Sequence, residues 1–306
     1  MRSYHPLSVI TARSCLIMTV LLPASCPLFS AMAVEPQGPL ILLGDTFSFT
    51  EGPTADASGN VYFTDQPNDR IVHFDFATGK LRDWLKPCGR ANGLFFVAPN
   101  RIIACADDKN ELWQINIPDQ EHRVLAVGPN GRRLSGPNDC WVDRDGDIYF
   151  TDPLYKRPYW TQDIPADNPR GVYRVTPEGK LFQVAGDLKQ PNGIIGDAEN
   201  RHLYVADIGA GKTYRYNIKD DGNLTDRTLF CAMGSDGMTM DQKRNVYLTG
   251  RGVTVFDRHG KKIRTIPIPK GWTANVTFAG PHSQHLFITA QDSVFVIKMD
   301  VAGLKR

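Results

Sequence analysis

Six times along this chain, an Asn or an acidic residue in a Gly/Pro turn precedes, by 14 or 15 residues, the end of a short strand of one type. The turns are Glu51-Gly52-Pro53, Asn92-Gly93, Pro137-Asn138-Asp139, Pro191-Asn192-Gly193, Asp236-Gly237 and Ala274-Asn275. The strands they lead to read GNVYFTD (59–65), NRIIACA (100–106), GDIYFTD (146–152), RHLYVAD (201–207), RNVYLTG (244–250) and QHLFITA (284–290). The steps from turn to turn are 41, 46, 54, 44 and 39 residues. A repeat of this length carrying several short strands predicts an all-β, six-bladed β-propeller. Such a ring brings equivalent segments of every blade to one end of a central channel. Side chains more than 200 residues apart in the chain would then converge.

The third strand of each unit is legible as RIVHFDF (70–76), ELWQINI (111–117), GVYRVT (171–176), KTYRYNI (212–218), GVTVFD (252–257) and SVFVIKM (293–299). Their alternation and their bounding Gly, Asp and Pro residues are strand and hairpin signals. The outer strands are vaguer: 80–85, 123–127, 180–185, 228–231 and 262–266. The apolar segment Leu40–Gly44 precedes the first turn and is expected to complete the last blade, locking the ring. The long step of 54 residues places about ten extra residues after Asp152, in PLYKRPYWTQDIPADNPR. This Pro-rich, aromatic insertion reads as a surface excursion or as a wall over the channel mouth, with Tyr155, Tyr159 and Trp160 as stacking surfaces.

Residues 1–33 read as an export signal. Arg2 and Arg13 supply the basic start, Cys15–Leu22 the apolar stretch, and Ala31-Met32-Ala33 the cleavage site. The remainder, 34–306, is expected to be one propeller domain, exported to a periplasm or secreted, with no membrane contact once the signal is removed. The formal charge is +2; removing Arg2 and Arg13 leaves it balanced, which gives no reason to expect nucleic acid as a partner. The four cysteines beyond the signal, Cys88, Cys105, Cys140 and Cys231, have no CxxC spacing and read as buried thiols, with one disulfide as the alternative. His282 and His285 mimic metal-ligand spacing but sit in a hairpin.

Five segments in order carry a resemblance: EGPTADASGNVYFTDQPNDRI, LSGPNDCWVDRDGDIYFTDP, QPNGIIGDAENRHLYVAD, SDGMTMDQKRNVYLTG and ANVTFAGPHSQHLFITA. Across residues 45–300 the chain resembles the gluconolactonase/regucalcin/luciferin-regenerating-enzyme family. The resemblance implies a six-bladed propeller that holds one divalent cation and hydrolyses sugar or other lactones. It implies Glu51, Asn192 and Asp236 as metal ligands, Asp236 also as the catalytic base, and Asn138 beside the metal, touching substrate or binding through water. The animal sugar-lactonase branch has an Arg two residues before the position of Asn138, where this chain has Gly136. Arg132 and Arg133 lie near enough in sequence to serve instead, and Arg133 is taken as the substrate-binding candidate.

The residues themselves support that chemistry. Two carboxylates and two amides, without His or Cys, form a hard oxygen set suited to calcium first, and otherwise to magnesium or manganese; zinc or manganese could substitute in a lactonase. Such an ion polarises a lactone carbonyl, and Asp236 could take a proton from the attacking water and return it to the leaving alkoxide. By equivalence of turns, Asn92 is also expected to face the channel and touch substrate, as is Asn275. No Ser stands in a nucleophile elbow. The expected partner is a small lactone, with the protein a monomer or weak dimer. Two rivals stay open: an exported, non-enzymatic binding propeller whose metal is structural, and a related aryl-ester or phosphotriester hydrolase using the same cation.

Overall fold

Strands such as Val61–Asp65, Ile148–Asp152 and Val246–Gly250 are buried along their whole length. Both faces of each are covered by neighbouring sheets, which is why they read as apolar runs rather than as alternation. Each forms the second strand of a four-stranded antiparallel sheet, and six such sheets make the blades of a β-propeller. The computed structural model describes residue 1, residues 34–129 and residues 131–304. Apart from residue 1, the export signal expected at 1–33 lies outside the described residues. Residues 33–306 cluster as one unit.

Blade one runs Thr50–Ala55, Val61–Asp65, Arg70–Asp75, Lys80–Leu85 from channel to rim. The innermost strands of blades two to six are Ala91–Val97, Cys140–Val142, Pro191–Asp197, Met238–Met240 and Asn275–Ala279. Rim strands such as Lys80–Leu85 and Leu181–Ala185 have no fully buried residue, so little in their composition marks them. In blade six the outer position is taken by Ile41–Gly44, antiparallel to Ser293–Lys298, as expected of the apolar segment ahead of the first turn. The core lies between blades: Phe63 of blade one and Phe287 of blade six stand 5.4 Å apart, centroid to centroid. Cys88, Cys105, Cys140 and Cys231 are buried and unpaired.

Polar side chains stitch this core where it meets the channel. The hydroxyl of Thr64 donates to the carbonyl of Asn92 at 2.9 Å, that of Thr151 to Asn192 at 2.7 Å and that of Thr249 to Ala274 at 2.8 Å. Each bond runs from one blade's second strand to the entry of the next blade's innermost strand. The acids that end the second strands face the other way. Asp65 accepts the backbone N–H groups of Ser48 and Phe49, Asp152 that of Ser135, and Asp207 those of Lys189 and Gln190. Their oxygens hold the loops that lead inward, which removes them from the list of channel donors.

Candidate active site

The expected turns are largely not turns. Glu51, Asn92 and Asn192 lie within the first residues of innermost strands, each at a register shift: between Glu51 and Thr54, Ala91 and Leu94, Pro191 and Ile194. A bulge inserts an unpaired residue and re-aims a side chain, here from the sheet face toward the channel mouth. The glycine after each residue makes room for the next blade. A Cβ on Gly52 would stand 2.2 Å from the carbonyl oxygen of Asn92, and one on Gly237 2.0 Å from Cγ of Asn275. The ring is therefore too tight at this end for any side chain but hydrogen.

Two buried carboxylates, Glu51 and Asp139, and the half-buried Asp236 meet there. Glu51 is 3% exposed, and its Oε2 accepts the N–H of Gly52 at 3.1 Å and, weakly, Nδ2 of Asn275 at 3.5 Å. Burial, then the negative charge of Asp236, push its carboxyl well above the usual range. Asp236 is gripped on both oxygens: Trp272 Nε1 donates to Oδ2 at 2.5 Å and Asn192 Nδ2 to Oδ1 at 2.8 Å. Burial raises it to about 6, against those two hydrogen bonds. Asp139 is raised to about 7 by burial, in spite of the N–H of Cys140 and the amide of Asn275. Among the described residues, no Lys or Arg forms an ion pair with any of the three.

The amides around them are incompletely satisfied. Asn192 spends Nδ2 on Asp236 and on the hydroxyl of Tyr155, at 2.8 Å each, while its Oδ1 is buried without a partner. Asn92 Oδ1 is likewise orphaned. An unpartnered buried acceptor costs about 1–3 kcal/mol, and two of them near three carboxylates make a set of oxygens that could hold a positive ligand. No group of three or more His, Cys, Asp or Glu among the described residues could hold a metal alone. The donor set that fits is mixed: Glu51 and Asp236 with the orphaned amide oxygen of Asn192. Oxygen-only donors of this kind suit calcium or another hard cation.

The structure thus brings together Glu51, Asn192 and Asp236, with Asn92 and Asn138 buried at equivalent places. The backbone of Asn138 is held by Thr151 and Gly93. Arg133, the substrate-binding candidate, is exposed, and its Nη1 donates to the carbonyl of Lys109 at 3.1 Å. Sequence reasoning also missed Asp139, the second acid of its own turn motif, and Trp272, three residues before Asn275.

The insertion forms a wall beside this cluster. Its Tyr155 reaches Asn192, but Tyr159 and Trp160 do not offer free polar edges. The Tyr159 hydroxyl donates to Asp107 Oδ2 at 2.5 Å, and Trp160 Nε1 donates to the carbonyl of Asp107 at 2.7 Å. One face of Tyr159 is covered by the Arg90 guanidinium, 4.5 Å from the ring centroid.

A family model described as the SMP-30/Gluconolactonase/LRE-like region matches residues 49–292. The gluconolactonase of Zymomonas mobilis is 24% identical over 293 residues, covering 87% of this chain and 82% of its own. The diisopropyl-fluorophosphatase of Loligo vulgaris is 26% identical over 291 residues, covering 82% and 88%. A solved gluconolactonase structure from Xanthomonas campestris superposes with a TM-score of 0.79 at 27% identity, covering 87% of this chain and 94% of its own. With four-fifths of its length inside that family model, this chain belongs to the SMP-30/gluconolactonase/LRE-like family.

Proposed function

We propose that the protein is a divalent-cation-dependent lactone hydrolase of gluconolactonase type, opening a sugar lactone to its hydroxy acid. One observation carries the reading. Asp236, half-buried and fixed by Trp272 and Asn192, stands beside Glu51 and an orphaned amide oxygen, at a channel mouth walled by Tyr155. Glu51, Asn192 and Asp236 would hold the cation, calcium by the chemistry of the donors. When bound, it supplies positive charge for the oxygen of the lactone carbonyl. Asn92 and Asn138 would orient the substrate. Water adds to the carbonyl carbon as Asp236 takes its proton. The bond to the ring oxygen then breaks, and the same carboxyl returns the proton to the departing alkoxide. Trp272 and Asn192 keep Asp236 in one rotamer through both transfers.

A second reading has its own support in the Loligo relative: the same constellation would serve a phosphotriester as well as a cyclic ester. A pH-indicator screen of sugar, aliphatic and aromatic lactones, with an aryl phosphotriester alongside, separates the two. The protein is stripped of metal and then given calcium, manganese or zinc. Metal-dependent acid release from a lactone, lost in Asp236→Asn, supports the proposal. Release only from the phosphotriester favours the second reading, and rates equal in wild type and variant leave a non-enzymatic binding propeller. We also propose export to a periplasm or secretion, and a monomer or weak dimer. Mass spectrometry and sedimentation of the mature protein test these; an N-terminus retained before residue 26 would refute the cleavage.

A further inference from the structure

Asp107, at the channel end of blade two, is a buried carboxylate that ties down the insertion. Its Oδ2 accepts Gln66 Nε2 at 3.2 Å, Tyr159 OH at 2.5 Å and Arg157 Nε at 3.1 Å, while its carbonyl accepts Trp160 Nε1. Gln162 adds a bond to the carbonyl of Asp108 at 2.9 Å. Three neutral anchors from the insertion itself hold the wall in place beside the Arg157–Asp107 ion pair, which leaves the terminal nitrogens of Arg157 outside that pairing.

That charge stands close to the reacting centre. The Arg157 guanidinium lies 5.3 Å from the ring centroid of Tyr155, whose hydroxyl meets Asn192, which meets Asp236. Only Nε, the inner nitrogen, is engaged by Asp107; four of the five guanidinium N–H donors belong to the terminal nitrogens. The side chain is 26% exposed, so it is reachable from solvent. A planar fork of this kind matches a carboxylate or another small oxyanion. With the proposed cation in place, the three carboxylates of Glu51, Asp139 and Asp236 still outweigh its two charges, and Arg157 adds a further positive charge for an anionic substrate.

We infer that Arg157 is a substrate-binding residue, and that the preferred substrates are lactones carrying a second, anionic group on the side away from the ring carbonyl. This rests on the lactonase reading of Asp236 and adds a specificity to it. The alternative is that Arg157 only clamps the loop.

The calcium-loaded protein is assayed with gluconolactone, which is neutral, and with glucarolactone, its counterpart bearing a carboxylate at the far end. The wild type should favour the acidic lactone in kcat/KM. Arg157→Gln should lower the ratio of acidic to neutral kcat/KM at least tenfold, and Arg157→Lys should keep part of the preference. A fall of both lactones by one factor, or an unchanged ratio, would make Arg157 a clamp and overturn the inference. Calorimetry of glucarate and gluconate binding gives a readout independent of turnover. If the wild type hydrolyses neither lactone, the lactonase reading fails on its own. Glucarate bound at least tenfold more weakly by Arg157→Gln than by wild type would then still support the anion subsite, and equal binding would sink it.

Discussion

Asn192 and Asp236, 44 residues apart in the chain, meet at 2.8 Å across the boundary between blades four and five. The bond fixes the orientation of the amide. Its NH2 group faces the acid and Tyr155, so its oxygen is the atom left without a partner. Asn192→Ala should therefore cost calcium affinity by about tenfold or more while the far-ultraviolet spectrum stays that of the wild type. Titration calorimetry checks this, and an unaltered affinity would take Asn192 out of the site.

Removal of the cation should expose the repulsion among Glu51, Asp139 and Asp236. All three are pushed upward by burial, and Glu51 also by the charge of Asp236. In chelator, at a pH where the acids are ionised, Asp236→Asn should melt at a higher temperature than wild type. With calcium saturating, the order should reverse, because only the wild type gains from the ion. Scanning calorimetry with and without chelator reads both orders in one series.

Thr151 holds the carbonyl of Asn192 from the neighbouring blade and also accepts the N–H of Asp139. Thr151→Val keeps the shape and removes the hydroxyl. We expect a loss of about 1–3 kcal/mol in denaturant unfolding, the cost of leaving buried groups unpaired. Stability unchanged within error would show that the stitch is dispensable.

Asp152 offers a pH effect outside the proposed cation site. Its carboxyl, raised by burial to about 8, accepts Ser135 N–H while Oδ1 has no partner. A folded-state value above the unfolded one means that the folded protein binds the proton more tightly. This group's contribution is complete below the unfolded value near 4 and is lost as pH rises toward about 8. Asp152→Asn, which stays neutral, should flatten the fall in the denaturation midpoint across that window. Parallel slopes for the two proteins would contradict the assignment.

Gly237→Ala tests the tightness of the ring. Its new methyl would stand 2.0 Å from Cγ of Asn275, forcing that amide off Glu51 and Asp139. Overpacking of this sort costs about 1–3 kcal/mol. Turnover should fall further than stability alone explains, and a fully active variant would mean that Asn275 is free to move.

Much of this was legible in the sequence because the repeat fixes equivalence. Glu51, Asn192 and Asp236 occupy matching places in their units, and matching places in a ring converge. What the repeat does not encode is contact between unlike positions. Trp272 reaches Asp236 from the segment before blade six, and Arg157 arrives from an insertion that has no counterpart elsewhere. The bulges at Glu51, Asn92 and Asn192 looked like turns because the same Gly and Pro residues serve both.

The seam in blade six sets an order of assembly. Five blades are meanders of consecutive strands and can form as each stretch of chain is made. The sixth needs Ile41–Gly44 beside Ser293–Lys298, the first and last strands among the described residues. Until synthesis reaches that last strand, the first one is an open edge with no partner of its own, and the incomplete ring is a horseshoe exposing unpaired backbone to other chains. Unfolding should begin at the same place, so the seam is where a protease would first find purchase.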